Sequence, residues 1–231
     1  MPLASPRLDA VLFDLHFTLV RQRPARHWAD EAWALAGRDG TVAGALPAAS
    51  LAELLDGLDH LWARAEAIDP TTRRDLDPVR HRAVFAQVVD ALPGTDGALT
   101  DALYRTLPAL WTPYPDALPV LRALAGLGVR VVVLSNVGYD VRPVLRRTGI
   151  ADLVAGTVLS FEEGVAKPDP ELFRRALAVA GTPADRTLMV GDNWRDDGGA
   201  AALGIRTLIV PRRLGDAYTL DGVPALVAGP A

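Results

Sequence analysis

Five short apolar runs limit the folds that this 231-residue chain can adopt. The runs are continuous rather than alternating, which is typical of strands buried on both faces of a parallel sheet. They lie at residues 10–13, 129–135, 156–160, 187–191 and 206–211. From residue 115 onward, segments with helical periodicity separate the runs, and two of these segments end in glycine. This alternation predicts an α/β fold with a doubly wound, Rossmann-like parallel sheet.

The alternation of strands and helices is interrupted after the first run. Residues 21–112 contain no convincing strand but several amphipathic helical segments. One apolar stripe at helical spacing is formed by Leu51, Leu54, Leu55, Leu58, Leu61 and Trp62. We therefore expect an α/β core made of residues 1–20 and 113–231, with an all-helical domain, residues 21–112, inserted into it. The final segment, residues 221–231, is expected to be a loosely held tail.

Composition excludes several kinds of site and partner. There are 24 basic and 28 acidic residues, a formal net charge of −4 and no block of basic residues, so no nucleic-acid partner is expected. The absence of cysteine excludes disulfides, thiolate zinc sites and a cysteine nucleophile. No secretory signal is recognisable, and no apolar run approaches the roughly 20 residues needed to cross a bilayer. These features predict a cytoplasmic protein that does not interact with a membrane.

Chemically useful side chains follow four of the apolar runs. The first run is followed by Asp14 and Thr18, and the second ends in Ser135 and is followed by Asn136. The loop after the third contains Lys167, and the fourth is followed by Asp192, Asp196 and Asp197. Each of these residues alone has an ordinary explanation as a turn residue, a helix cap or a surface lysine.

Their shared position favours a catalytic explanation instead. The carboxyl ends of parallel strands meet at one edge of a sheet, so we expect a nucleophilic carboxylate, a hydroxyl, an ammonium group and an acidic pair to converge there. Carboxylates packed together repel one another unless a cation holds them. Hard oxygen ligands of this kind suit Mg²⁺, which also shares the oxygens of substrate phosphates.

These motifs resemble those of the haloacid dehalogenase-like (HAD) hydrolase superfamily with a C1-type helical cap. The segment "LFDLHFT" resembles the family's first motif, hhhD-x-D-x-T, and "LSN" resembles its strand-end Ser or Thr motif. The segment "AKPDPELF" resembles the lysine motif, and "GDNWRD" resembles the acidic motif GD-x-x-x-D. The resemblance covers most of the chain, although the inserted domain matches only in position and helical character.

The resemblance implies phosphoryl transfer through an aspartyl-phosphate, with Asp14 as the nucleophile and Mg²⁺ as the cofactor. It implies metal ligation by the carboxylates of Asp14, Asp192 and Asp196 and by the main-chain carbonyl of His16, with Asp197 as the alternative to Asp196. It implies binding of phosphate or substrate by Thr18, Ser135, Asn136 and Lys167. Thr18 would also support the loop by hydrogen bonding, and Lys167 would offset the charge of the nucleophile.

His16 and Phe17 depart from the family's first motif. Phosphatases of the family usually carry Asp and then Gly at these positions, and that Asp protonates the leaving alcohol and later deprotonates the attacking water. An imidazole titrates near neutral pH and is able to perform proton transfers, so His16 is the candidate acid/base group. A neutral His16 would be a poor acid, which predicts that esters with good leaving groups react best.

The change at position 16 leaves three functions open. The first is a Mg²⁺-dependent phosphatase acting on a small phosphorylated metabolite, which the intact motif "GDNWRDD" favours. The second is a catalytically silent binding or regulatory protein, and the third is another HAD reaction such as dehalogenation. Oligomeric state is open between monomer and homodimer.

The sequence offers few candidate residues for substrate recognition. In relatives with a C1 cap, the cap closes over the site, and residues soon after the first motif often select the substrate. Here that region supplies Arg21, Arg23, Arg26, His27 and Trp28. These residues form either an anion- and ring-binding patch or a solvated helix start with Trp28 in the core of the helical domain. Tyr139 is a further candidate for lining the pocket.

Overall fold

The chain forms two compact units in a computed structural model that describes residues 7–211 and 220–229. One unit comprises residues 1–21 and 112–231, and the other comprises residues 22–111. The boundaries expected from the sequence lie one residue away from these.

The larger unit is built on a five-stranded parallel sheet. In chain order its strands are β1 (Ala10–Phe13), β4 (Arg130–Ser135), β5 (Gly156–Leu159), β6 (Thr187–Gly191) and β7 (Arg206–Ile209), and their spatial order is β5-β4-β1-β6-β7. All five strands coincide with the five apolar runs of the sequence to within two residues at either end. The predicted α/β, Rossmann-like fold is confirmed.

The helices of the larger unit explain why the strands are continuously apolar. They are α7 (Ala117–Gly126), α8 (Arg142–Arg147), α9 (Ser160–Glu163), α10 (Pro170–Ala180) and α11 (Val223–Ala228). Alternate strand residues such as Leu12 and Leu134 pack in one core cluster with Phe173 of α10. The residues between them, such as Val11 and Val133, are equally buried on the opposite face. Both faces of the sheet are therefore covered.

Helix α10 shows how local sequence sets the helix ends. The Asp169 carboxylate accepts a hydrogen bond from the main-chain N–H of Glu171 at 2.8 Å, and Pro170 occupies the first turn. The helix ends at Gly181, whose φ of +63° is a left-handed conformation that favours glycine. This helix confirms the prediction from the sequence.

The smaller unit is almost entirely helical. Its helices are α1 (Ala25–Leu35), α2 (Val42–Ala45), α3 (Ala48–Asp59), α4 (Leu61–Ile68), α5 (Pro78–Val89) and α6 (Gly97–Thr106). The apolar stripe noted in the sequence is divided between α3 and α4, because the α3 helix ends at His60. Leu54, Leu58 and Leu61 of that stripe are buried.

Two predictions about the fold are wrong. The expectation of no strand within residues 21–112 is contradicted by β2 (Val20–Gln22) and β3 (Trp111–Pro113), which pair with each other at the ends of that segment. Three residues are too few to show a strand pattern in the sequence.

The C-terminal segment is also not a loose tail where the structure describes it. Leu220, Val223 and Val227 are buried, and the Val227 carbonyl accepts a hydrogen bond from the Leu8 N–H at 3.0 Å. The remaining two residues of the predicted tail, 230 and 231, lie outside the described residues. Within the described residues, none of the helices has the length and apolar character required to cross a membrane.

Candidate active site

The carboxyl ends of the central strands bring the first candidate residues together. Phe13 of β1 is in register with Val133 of β4 and Val190 of β6. The next residue, Asp14, donates its main-chain N–H to the Val190 carbonyl at 2.9 Å. Asp14 thus leaves the sheet at its centre, between the ends of β4 and β6, as expected from the topology.

Lys167 is the hub of a buried charged cluster. Its ammonium group donates to Asp14 Oδ1 at 2.6 Å, to Asp197 Oδ1 at 2.7 Å and to the Leu134 carbonyl at 3.2 Å. These three acceptors match the three hydrogens of an ammonium group. Lys167 is only 4% exposed, and both aspartates are buried, so Lys167 is not a surface lysine.

The charges of this cluster set its proton affinities. Burial alone would lower the pKa of Lys167, but the charges of and hydrogen bonds to Asp14 and Asp197 outweigh burial and raise that pKa above its ordinary value. Burial raises the pKa of Asp197, and the Asp14 charge acts in the same direction against the opposing effect of Lys167. The two raised pKa values have different main causes, which are the facing carboxylates for Lys167 and burial for Asp197.

Asn136 holds the main chain at Lys167. Its side-chain Nδ2 donates to the Lys167 carbonyl at 2.9 Å, and its Oδ1 accepts from the Lys167 N–H at 2.8 Å. The following residue, Val137, donates its N–H to Ser160 Oγ at 2.8 Å. The Asn136 side chain therefore positions the lysine loop, a role that the sequence analysis missed. Its predicted role in phosphate binding stays a prediction.

The turn after β1 is held by Thr18. The Thr18 hydroxyl donates to Asp14 Oδ2 at 3.2 Å, so the two carboxylate oxygens of Asp14 have different partners. Phe17 between them has a φ of +63°, and its N–H donates to the Val20 carbonyl at 2.7 Å. Thr18 therefore makes a hydrogen bond that supports this loop, as expected from the sequence. The left-handed backbone at position 17 also explains why a glycine suits this turn.

Asp196 and Asp197, in the acidic loop after β6, differ in burial and in hydrogen-bond partners. Asp197 joins the buried cluster and accepts from the Asn193 N–H at 3.0 Å. Asp196 is half-buried and accepts from Asn193 Nδ2 at 2.6 Å. Asp197 is thus the partner of Lys167, a role that the sequence analysis did not assign, whereas the choice of Asp196 as a metal ligand stays a prediction.

Two glycines permit this packing. A Cβ atom at Gly191 would lie 2.0 Å from Asp197 Oδ2, and a Cβ atom at Gly199 would lie 2.8 Å from the Pro168 carbonyl. Both distances are too short for any side chain. Gly191 therefore allows the Asp197 side chain to pack against the end of β6, and Gly199 allows the 3₁₀ segment Asp197–Leu203 to approach the lysine loop at Pro168.

The donor chemistry at this edge suits a hard cation. Asp14 and Asp192 directly follow adjacent strands, β1 and β6, and the main-chain carbonyl of His16 is another oxygen donor. Within residues 7–211 and 220–229, no group of three or more His, Asp or Glu side chains could hold a metal ion. A cation bound here would therefore draw part of its coordination from main-chain, water or substrate oxygens, as Mg²⁺ commonly does.

Ser135 supplies an independent sign of a ligand. Its side chain is buried at the end of β4, and its hydroxyl has no hydrogen-bond partner among the described residues. Buried hydroxyls are normally paired, and an unpaired one costs about 1–3 kcal/mol. A substrate oxygen at this position would remove that cost.

Comparison with known proteins decides the family. The sequence model of the haloacid dehalogenase-like hydrolase family matches residues 8–204, which is most of the chain. The chain belongs to this family of hydrolases. The resemblance to the HAD superfamily noted in the sequence is thereby confirmed, and the C1 type of the cap stays a prediction. The cluster of Asp14, Lys167 and Asp197 lies within the matched segment.

Relatives of this HAD hydrolase include proteins named as phosphatases and as dehalogenases. A glyceraldehyde 3-phosphate phosphatase of Methanopyrus kandleri is 30% identical, over 89% of this chain and 84% of that protein. Haloacid dehalogenase-like hydrolase domain-containing protein 3 of Danio rerio is 33% identical over 56% of each chain, so this chain matches about half of that relative. A solved 2-haloacid dehalogenase of Pseudomonas syringae pv. Tomato DC3000 is 25% identical, has a TM-score of 0.62 and matches 96% of this chain and 98% of its own.

The candidate substrate patch is partly explained by packing within the helical unit of this HAD hydrolase. Trp28 is buried, and its indole N–H donates to the Leu103 carbonyl at 3.2 Å and to Thr106 Oγ1 at 3.0 Å. Arg23 pairs with Glu31 at 2.7 Å. Trp28 is therefore a core residue, which confirms the second of the two interpretations for this residue. The roles of Arg21, Arg26, His27 and Tyr139 stay predictions.

Proposed function

We propose that the protein hydrolyses a small phosphorylated metabolite through an aspartyl-phosphate intermediate. The observation that carries the proposal is the buried cluster in which Lys167 and Thr18 hold the Asp14 carboxylate next to β4, where the Ser135 hydroxyl is without a partner among the described residues. A nucleophile, a cation and a free hydroxyl donor are the groups that a phosphate ester requires. Relatives named as phosphatases give further support.

The proposed reaction has two displacements. One carboxylate oxygen of Asp14 attacks phosphorus, the bond from phosphorus to the ester oxygen breaks, and the leaving oxygen takes a proton from His16 or from water. A water molecule then attacks the phosphoryl group and gives up a proton to His16 or to another water. The bond between phosphorus and the Asp14 oxygen breaks, which releases inorganic phosphate and the Asp14 carboxylate. Ser135 donates to a phosphoryl oxygen throughout, and Lys167 offsets the negative charge.

In this scheme Lys167 acts mainly through its charge beside Asp14 and not through direct contact with the phosphoryl group. All three of its hydrogens already have acceptors, so direct contact with a phosphoryl oxygen requires the exchange of one acceptor, such as the Leu134 carbonyl at 3.2 Å. Its charge is 2.6 Å from the Asp14 carboxylate and needs no such exchange to act on the nucleophile.

We propose Mg²⁺ as the cofactor. Asp14, Asp192 and the His16 carbonyl would hold it, with Asp196 as the further predicted ligand. When bound, the cation supplies charge neutralisation of the transferring phosphoryl oxygens. Its positive charge would also offset the net negative charge of the Lys167 cluster.

The decisive experiment measures release of inorganic phosphate from p-nitrophenyl phosphate and acetyl phosphate. We expect turnover that requires Mg²⁺, stops with EDTA and falls at least 1,000-fold, as an order-of-magnitude estimate, in Asp14→Asn. Asp185→Asn, which changes an exposed aspartate outside the cluster, is the matched control and should keep wild-type activity. Absence of turnover with every metal tested would favour the silent binding protein considered above.

Dehalogenation is the second candidate, because a solved 2-haloacid dehalogenase shares the fold at 25% identity. In that reaction the Asp14 carboxylate would displace halide from carbon, and the resulting ester would be hydrolysed by water. Halide release from 2-chloropropionate that persists in EDTA would support it. The acidic motif with Asp192 and Asp196 favours the phosphatase instead.

A further inference from the structure

The loop after β6 carries an exposed aromatic side chain at the edge of the candidate site. Trp194 is 65% exposed, and it is the only aromatic residue among the exposed large apolar side chains that the structure describes. The guanidinium carbon of Arg195 lies 4.9 Å from the centroid of its ring. This cation–π contact covers part of the indole while leaving most of it open to a ligand.

The backbone around Trp194 is held by Asn193. Asn193 Oδ1 accepts from the Arg195 N–H at 3.1 Å, and Asn193 Nδ2 donates to Asp196 Oδ2 at 2.6 Å. The Asn193 N–H donates to Asp197 in the buried cluster. An exposed indole on a well-held loop is prepared for binding at little conformational cost.

The short stretch of chain between Trp194 and Asp192 limits how far Trp194 can lie from the candidate site. Trp194 is two residues after Asp192, so their Cα atoms are at most about 7.6 Å apart. The loop is also tied through Asp197 to Lys167, and Lys167 contacts Asp14. The loop that carries Trp194 is therefore next to the predicted metal ligand Asp192 and is connected through Asp197 and Lys167 to the proposed nucleophile.

We propose that Trp194 is a specificity-determining residue that stacks on a planar aromatic or heterocyclic leaving group of the phosphate ester. This inference rests on the proposed phosphatase function and adds the substrate class. Aromatic stacking favours any flat π system, so the preference extends to ring-bearing phosphate esters as a class. The guanidinium of Arg195 occupies one region of the indole, and the leaving group takes the open region.

The first test measures binding of phenylphosphonate and methylphosphonate by calorimetry, since neither can be hydrolysed as an ester. We expect wild-type protein to bind phenylphosphonate about 3- to 10-fold more tightly than methylphosphonate. Trp194→Ala should abolish this preference, and Trp194→Phe should keep most of it. Leu226→Ala, which truncates a 50% exposed side chain of the same unit, is the matched control and should keep the preference.

The second test compares turnover of phenyl phosphate and acetyl phosphate. Trp194→Ala should raise KM for phenyl phosphate about 3- to 10-fold and leave acetyl phosphate unchanged. If Asp14→Asn and wild type are equally inactive on both, the phosphatase proposal fails, and the phosphonate preference still decides the role of Trp194.

Three results overturn the inference. They are equal affinity of wild-type protein for the two phosphonates, no binding of phenylphosphonate, and an unchanged preference in Trp194→Ala. Sedimentation velocity on the same variant checks the competing role, because a dimer that dissociates in Trp194→Ala without loss of ring preference would identify the indole as a contact between two copies.

Discussion

At the scale of single residues, the most consequential group is the Lys167 ammonium, which separates two buried carboxylates. Asp14 and Asp197 are 153 and 30 residues away in the chain, and each lies within 2.7 Å of the same nitrogen. Removal of one partner from a buried ionic cluster leaves an uncompensated charge, which generally costs about 3–5 kcal/mol. Under the proposed function, catalysis and stability depend on the same contact.

Two variants separate these contributions. Lys167→Met should lower the free energy of unfolding by about 3–5 kcal/mol and lower kcat by about 100-fold or more. The double variant Lys167→Met/Asp197→Asn removes one of the two facing charges and should recover part of the stability without the activity. Urea unfolding and phosphate release measure the two quantities, and equal stability of the single and double variants would contradict the role assigned to Asp197.

Phe17 provides a second prediction at this scale. Its φ of +63° is a conformation that costs a residue with a Cβ atom about 1 kcal/mol and costs glycine little. Phe17→Ala loses packing and keeps the strain, whereas Phe17→Gly loses packing and removes it. We expect the glycine variant to be more stable than the alanine variant by about 1 kcal/mol in urea unfolding, the reverse of the order found in a helix or strand.

At the scale of elements, Asp69 joins three pieces of the helical unit. It follows α4 and is fully buried, and its carboxylate accepts from the Arg74 N–H at 2.7 Å, from Arg80 Nε at 3.1 Å and from Arg80 Nη2 at 2.9 Å. The hydrogen bonds of Arg80 outweigh the opposing effect of burial and, with the Arg74 N–H, lower the pKa of Asp69 to about 2. A single carboxylate thus links α4, the 3₁₀ segment Arg73–Leu76 and α5.

This depressed pKa predicts an acid-sensitive link. The folded state binds the proton of Asp69 less tightly than the unfolded state, whose pKa is near 3.8, so the stabilising effect is complete above pH 4. It should be lost progressively between about pH 4 and pH 2. Urea unfolding across this range should show the loss in the wild type, and Asp69→Asn should be less stable at neutral pH and show a smaller decrease in acid.

At the scale of the whole molecule, the C-terminal helix stabilises the α/β unit by long-range contacts. The Val227 carbonyl accepts from Leu8, just before β1, and the Leu220 N–H donates to Asp116 Oδ2 at 2.9 Å, just before α7. The two ends of the described chain are therefore packed against each other.

Neighbouring positions of α11 give a matched test of this packing. Val227 is buried and Leu226 is 50% exposed. Val227→Ala should lower the free energy of unfolding by about 1–3 kcal/mol, because it leaves a cavity, and Leu226→Ala should change it by less than about 0.5 kcal/mol. Thermal or urea unfolding measures both, and equal effects would show that α11 does not pack as described.

The sequence by itself determined the buried strands, the helices between them and the edge of the sheet at which the candidate site lies. Continuous apolar runs are a local property, and in a parallel sheet the chain order alone places residues such as Asp14 and Ser135 at the same edge. The shift from strands to helices marked the inserted unit for the same reason. Short strands such as β2 were not predicted, because three residues are too few to show a repeating pattern of apolar and polar side chains.

Only the tertiary structure decided which side chains meet within that edge. Asp196 and Asp197 are adjacent in sequence, yet one binds Asn193 and the other binds Lys167, because neighbouring residues point in different directions. The Asn136 contact with the lysine loop spans 31 residues, and the docking of α11 depends on Leu8 at the opposite end of the chain. Such contacts depend on how close remote segments of the chain lie in space, and local sequence patterns carry no information about those distances.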